Sequence, residues 1–292
     1  MSEDYNPDKM EYSDEYFEYS MQYDGTWGVN IYNTTERFCV PREFMGKPVT
    51  EVYGGNHELP TGRNKVLSVK LSPGLRKIGY QAFFEFRGLK VINIPATVYE
   101  IEACAFGNCV SLEGFTVGRN VERIRNEAFR GCKALKQIKL SDKLVSIGDL
   151  AFLGCESLES VKIPRLVNHL GDMMLSHCNS LKKIEVDEKN LFFTSFNGAL
   201  YTKNMNRLIK YPGAAEGILF LMPANVTSIA EDAFLEAKKL KRIFISDTLE
   251  DFEDCDSIIP IPKGTKPVSI GQYLEIGKLY GRISIYARRC VK

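Results

Sequence analysis

Apolar positions along this chain recur every 23 residues. Leu89, Leu112, Leu135, Leu158 and Leu181 keep that interval, as do Ile78, Ile101, Ile124, Ile147 and Leu170. Phe83, Phe106, Phe129 and Phe152 follow it too, and so do Cys109, Cys132, Cys155 and Cys178. A fixed period in the twenties marks a solenoid, in which each unit buries its apolar face only against its neighbours. Within a unit the pattern changes. The stretch LKQIKLSDKLVSIGDLAFLGCES, from Leu135, opens with the two-residue alternation of a short strand around Ile138 and Leu140. A Pro, Ser or Gly then ends the ladder, as Pro95 does after Ile94 and Pro164 after Ile163. A second apolar pair follows (Leu144 and Ile147), and Ala151–Phe152 closes the coil in a tight 3₁₀ or helical turn. The predicted fold class is an α/β solenoid of 23-residue coils, each a short strand plus an irregular, 3₁₀ or helical turn.

The clock is interrupted once. Leu181 and Leu240 are 59 residues apart, one period plus 36, which predicts an insert over 187–217. Inside it, Ala199–Thr202 and Arg207–Tyr211 read as hairpin strands around Lys203–Asn206. The repeat resumes with Met222–Pro223, Val226, Ile229 and Ala233–Phe234, and degenerates after Phe252. A solenoid also needs caps over its end coils. Phe17, Tyr19, Met21 and Tyr23 alternate before Asp24–Gly25, and Trp27, Val29 and Ile31 alternate after it, a hairpin signature. Tyr12, Tyr16, Tyr19 and Tyr23 have near-helical spacing as well, but the strand reading also explains the turn. The predicted organisation is an acidic tail at 1–16, a capping hairpin and irregular first coil at 17–65, the solenoid at 66–256, and a small β cap at 257–292 around Ile283, Ile285 and Ala287.

The units resemble the BspA-type branch of the leucine-rich-repeat family. The residues that carry the match are Ile94–Pro95, Val98, Ile101, Ala105–Phe106 and Cys109, repeated through Leu181 in a likeness that spans roughly 17–256. The segment over 187–217 is similar to an insertion common in that family. The resemblance implies a right-handed leucine-rich-repeat superhelix capped by β-hairpins, with strands on one face and irregular turns on the other. It further implies a non-enzymatic protein-interaction module, because members are mostly bacterial surface or secreted proteins in adhesion to host proteins and other cells. An intracellular scaffold or regulator would share the same core.

Composition changes this picture little. The net charge is +1, yet residues 1–24 hold eight acids against Lys9 alone, a net of −7 that leaves +8 on the remainder. Such a split fits an acidic tail lying against a basic body or a solvated terminus, and the solvated terminus is the reading preferred. No apolar run reaches the roughly 20 residues of a membrane span, and the N-terminus shows no basic segment followed by an apolar stretch, so no signal peptide is read in this chain. The eight cysteines include no Cys-X-X-Cys pair. Four of them occupy one repeated position, where Phe86 and Ala237 also stand. That substitution pattern fits a buried column of compact hydrophobes rather than a disulfide or metal framework.

Candidate chemistry is sparse. His57 lies in an irregular segment, His169 precedes core Leu170, and His177 takes a turn position next to Cys178, where neighbours face opposite ways. No cysteine–histidine pair or zinc cluster converges. The acidic run Glu250, Asp251, Glu253, Asp254 and Asp256 lacks the pattern of a calcium loop. Gly46–Lys47 is not a phosphate loop, and Asn33 and Asn225 begin short sequons. No catalytic residue, metal site or cofactor is predicted, and an enzyme would need a polar group in the insert or the C-terminal cap.

A ligand surface is easier to place. Residues between core positions of each short strand point outward: Lys70, Asn93, Thr116, Lys139, Lys162, Glu185 and Phe244 in one row. The parallel row holds Gln137 and Lys183 among small residues such as Gly114. With Lys139, Lys162 and Lys183 clustered there, the face reads as a shallow basic groove for an acidic protein segment or an acidic glycan. Nucleic acid is not predicted, since no aromatics interleave with the lysines.

Overall fold

The computed structural model of the chain describes residues 11–54, 61–245 and 266–269. His57, the acidic run from Glu250 to Asp256, the first ten residues of the tail and the predicted cap, except strand Lys266–Ser269, lie outside the described residues. Contacts divide the chain into two compact units, Met1–Cys178 and Asn179–Lys292.

The first unit begins with an antiparallel meander. Strand Phe17–Met21 pairs with Trp27–Ile31 across the Asp24–Gly25 turn, where Gly25 takes φ 79°. Strand Glu11–Ser13 pairs on its other side, so the acidic segment joins the cap from residue 11 onward rather than remaining a solvated tail to residue 16. Aromatic rings fill the cap. Tyr19 stacks on Phe44 at 3.8 Å, and Trp27 meets Phe44 edge-on at 5.4 Å. Trp27–Ile31 then pairs parallel with Lys47–Tyr53, which starts a ladder running through Lys77–Ile78, Glu100–Ile101, Arg123–Ile124, Ser146–Ile147 and His169–Leu170. From Lys77–Ile78 onward each rung advances 23 residues, so Ile78, Ile101, Ile124 and Ile147 stack as a buried column.

A second side is made of three- and four-residue strands in two parallel ladders. One comprises Arg37–Cys39, Ser68–Lys70 and Val91–Asn93; the other has Gly114–Thr116, Gln137–Lys139 and Ser160–Ile163. The middle residues Val69, Ile92, Phe115, Ile138 and Val161 are buried, while their flanks are exposed or half-exposed, the alternation of a half-covered strand.

The third side holds the Ala–Phe corners, and here the expectation of an α component is corrected. Among the described residues the helical element is the 3₁₀ turn Arg63–Lys65. At the corners alternate amides bond forward to the next coil: Cys104 to Asn126 at 3.0 Å, Phe106 to Ala128 at 2.8 Å and Asn108 to Arg130 at 2.7 Å. The amides between them close local turns, Gly107 to Cys104 at 2.9 Å and Cys109 to Phe106 at 3.2 Å. A helix needs every amide for its own ladder, so this division between local and inter-coil bonds excludes one. The chain bends through two columns of left-handed residues. Gln81, Cys104, Glu127, Leu150 and Met173 have φ between 53° and 58°, and Glu85, Asn108, Gly131, Gly154 and His177 have φ between 59° and 72°.

Inside the corners the phenyl rings stack: Phe83 on Phe106 at 5.3 Å, Phe106 on Phe129 at 5.2 Å and Phe129 on Phe152 at 5.5 Å. Beside them run the buried thiols of Cys109, Cys132, Cys155 and Cys178. Each donates to the carbonyl of a phenylalanine one coil earlier, at 3.2, 3.1, 3.3 and 3.4 Å in turn.

The second unit holds the hairpin. Phe193–Phe196, Ala199–Thr202 and Arg207–Lys210 form an antiparallel meander, and Arg207–Lys210 pairs parallel with Ser228–Ile229. Tyr211 donates its amide to Ala233 at 2.9 Å, as Phe83 does to Ala105 at 2.8 Å. Lys210–Tyr211 therefore takes the Ala–Phe place of its own coil, 23 residues before Ala233–Phe234. Leu219–Leu221, Arg242–Ile245 and Lys266–Ser269 make a separate parallel ladder.

Candidate binding surface

In the first unit the strands present the outward residues in register. Lys70 lies opposite Asn93, Thr116 opposite Lys139, and Gln137 opposite Ser160, which sets Lys162 beside Lys139. All six candidates of this unit, Lys70, Asn93, Thr116, Gln137, Lys139 and Lys162, are exposed. They are not on a flat sheet. A hollow of about 580 Å³ lies among Arg37, Cys39, Ser68, Lys70, Val91 and Asn93. A second, of about 470 Å³, lies among Asn93, Thr116, Gly118, Arg119, Lys139 and Asp142. Asn93 and Ile94 belong to both, and the two meet where the strand ladder is interrupted between Val91–Asn93 and Gly114–Thr116. A side chain at Gly114 would meet open space, so this stretch leaves room for an approaching chain.

Four cations of the unit are held across coils by glutamates. Lys77 is held by Glu102 at 2.7 Å, Lys133 by Glu156 at 3.0 Å, Lys136 by Glu113 at 3.2 Å and Arg125 by Glu100 at 2.6 Å. Those pairs tie one coil to the next. Lys70, Lys139 and Lys162 have no ion-pair partner among the described residues, and Lys70 and Lys139 lie in register with Asn93 and Thr116. Adjacent unpaired cations repel, an arrangement that an anionic ligand would relieve.

One expectation is corrected in the second unit. Lys183 and Glu185 are exposed, as the alternation requires, and pair with each other at 2.7 Å. Phe244 is buried, 8% exposed, rather than outward-facing; its strand lies between Leu219–Leu221 and Lys266–Ser269, which flank it on both sides. The sequence reading also missed Arg37 and Arg119 at the margins of the hollows. Arg37 sits in the irregular first coil, where the period is weak. Arg119 follows its strand by three residues, outside the alternation that marks outward positions.

Reactive chemistry is not concentrated here. Burial pushes the Cys132 thiol up to about 12 and those of Cys109 and Cys155 well above the ordinary value, which keeps them protonated and unreactive. His169 and His177 are exposed. Among the described residues no group of three or more His, Cys, Asp or Glu is placed to hold a metal ion, and no helix is long and apolar enough to cross a membrane.

A sequence profile of the BspA type leucine rich repeat region matches the chain in six copies, over residues 62–182, 105–205 and 219–273. No curated protein matches. Among solved structures, the pneumococcal vaccine antigen PcpA superposes with a TM-score of 0.70 at 22% identity, covering 82% of this chain and 65% of that one. A leucine rich cell surface protein of Faecalibacterium prausnitzii gives 0.64 at 23% identity, covering 82% of this chain and 71% of that protein. A leucine-rich repeat protein of Eubacterium ventriosum gives 0.54 at 19%, covering 82% and 61%. The chain thus spans less than two thirds of the length of the pneumococcal and Eubacterium proteins.

Proposed function

From the premise that this chain belongs to the BspA-type leucine-rich-repeat family, we propose a non-enzymatic binding module that takes an extended acidic segment of another protein on its strand-bearing face. The observation that carries this reading is the row of exposed lysines, Lys70, Lys139 and Lys162, on the strand face that bears two connected hollows. Strands about 4.8 Å apart set a repeating array of side chains. A segment with carboxylates at matching intervals would meet Lys139 and Lys162 in succession, with Asn93 and Thr116 offering neutral hydrogen bonds. Such contacts add specificity and association rate more than raw affinity.

The setting we infer is the bacterial surface or the secreted fraction, with a host or neighbouring-cell protein as partner. The Faecalibacterium prausnitzii protein, similar in fold, is named a cell surface protein, which supports the first of these settings. The test is capture of immobilised extracellular-matrix proteins, run beside an array of acidic glycans, by the unaltered chain and by the Lys139→Glu/Lys162→Glu variant. Protein capture should be lost in the variant with its melting temperature unchanged. Equal capture by both, or capture of acidic glycans alone, would reject the proposal.

A further inference from the structure

One residue in the second unit breaks the pattern of its column. The first position of the Ala–Phe corner is held by Ala82, Ala105, Ala128, Ala151 and Ala233, all buried. Lys210 stands 23 residues before Ala233 and is itself 3% exposed. Its ammonium does not reach solvent. Nζ lies 2.7 Å from Oδ2 of Asp232, 2.7 Å from the Asp232 carbonyl and 2.9 Å from Oε2 of Glu236. The carboxylates are buried as well, with side chains 10% and 3% exposed. Gly213 brings the backbone against Glu236, since a Cβ there would come within 2.4 Å of Glu236 Cβ. The group is enclosed by elements adjoining the core of Tyr201, Leu208, Tyr211 and Phe234.

A lysine nitrogen, the carboxyl group of an aspartate and a second carboxylate, held together and shut off from water, are the components of an amide condensation. We propose that Lys210 and Asp232 form an intramolecular isopeptide bond, with Glu236 as the proton carrier. With Asp232 in its acid form, Nζ passes a proton to Glu236, and the freed lone pair forms a bond to Cγ of Asp232. Glu236 then protonates the departing hydroxyl, the carbon–oxygen bond breaks and water leaves. The surplus proton on nitrogen returns to Glu236. Atoms and charge balance, one water is lost, and no oxidant or reductant takes part. Fixed proximity replaces the bimolecular encounter that makes this condensation slow in solution, and a site closed to water disfavours the reverse hydrolysis. The product would join the hairpin-bearing coil covalently to the Ala–Phe corner of the next.

The experiment is intact-mass measurement of the purified, reduced and denatured chain, followed by peptide mapping. The unaltered protein should be lighter than its sequence by one water, and a branched peptide should link Lys210 to Asp232. Lys210→Arg and Glu236→Gln should each restore the full mass. A wild-type mass equal to the sequence sum would overturn the proposal. So would a water deficit that maps elsewhere, such as to ring closure at Asp24–Gly25, or one that survives Lys210→Arg.

Discussion

The thiol of Cys132 donates to the backbone carbonyl of Phe106, one coil earlier, across 3.1 Å. The contact explains why a cysteine suits this column. It is small enough to sit beside the stacked rings, apolar enough to be buried, and it carries a weak donor for a carbonyl in the adjacent coil. It also sets the chemistry of the thiol. Burial raises Cys132 to about 12 from an ordinary 9.0. In the native protein at mildly alkaline pH, an alkylating reagent should label exposed Cys39 and spare Cys109, Cys132, Cys155 and Cys178 until the chain is unfolded. Peptide mapping of the labelled sites checks this.

The same shift has a stability consequence. A folded-state value above the unfolded one means that the native state keeps a proton which the unfolded chain releases. Stability should therefore be unaffected by Cys132 below 9.0 and should decline as pH rises from 9.0 through about 12. Denaturant melts across that window should show the decline, reduced in Cys132→Ala.

The left-handed corners predict substitutions of opposite sign. Gln81 has φ 53° and pays a steric cost that glycine avoids, so Gln81→Gly should stabilise by about 0.5–1 kcal/mol after the extra entropy of unfolded glycine is subtracted. Gly154→Ala, at φ 72° with only ordinary contacts near 3.8 Å, should lose about the same amount. Gly131→Ala should lose at least as much, because Oδ1 of Asn108, 2.3 Å from the new Cβ, must first swing aside. Thermal melts of the three variants give the order.

Glu51 offers a test in acid. Burial, reinforced by Glu102 and Glu100 and opposed by Lys77, raises its carboxyl above the ordinary 4.5. The native state then binds the proton more tightly than the unfolded chain, and stability falls as pH rises from 4.5 through the raised value. Glu51→Gln should melt higher than the unaltered protein at neutral pH, with the difference vanishing below 4.5. A lower melting temperature for the variant at neutral pH would show that the ion pair with Lys77 outweighs burial.

The periodicity made the coils legible because burial imposes it directly. Ile138, Phe129 and Cys132 each have one counterpart per coil, and only apolar groups satisfy those places. The outward lysines of the first unit followed from strand alternation for the same reason. The corners were less legible. Gln81, Cys104, Glu127, Leu150 and Met173 share a backbone conformation but no side-chain property, and only Gly131 and Gly154 in the companion column hint at it. Lys210 was hidden by the interval around the hairpin, which conceals that it stands in an alanine's place. Phe244 was misread because alternation assigns a side to each residue without showing what covers that side.

Along the Ala–Phe corners the bonds between coils run from main-chain nitrogen to main-chain oxygen. Such a seam does not depend on which side chains it carries, so any winding can adjoin any other provided the count between them is kept. Excising or duplicating a stretch of 23 residues preserves every donor–acceptor match, whereas a stretch one residue shorter would leave the amides facing the wrong partners. Length is thereby a quantity this architecture can change in whole steps, and a new exposed surface can arise by copying an old one and altering only its outward residues.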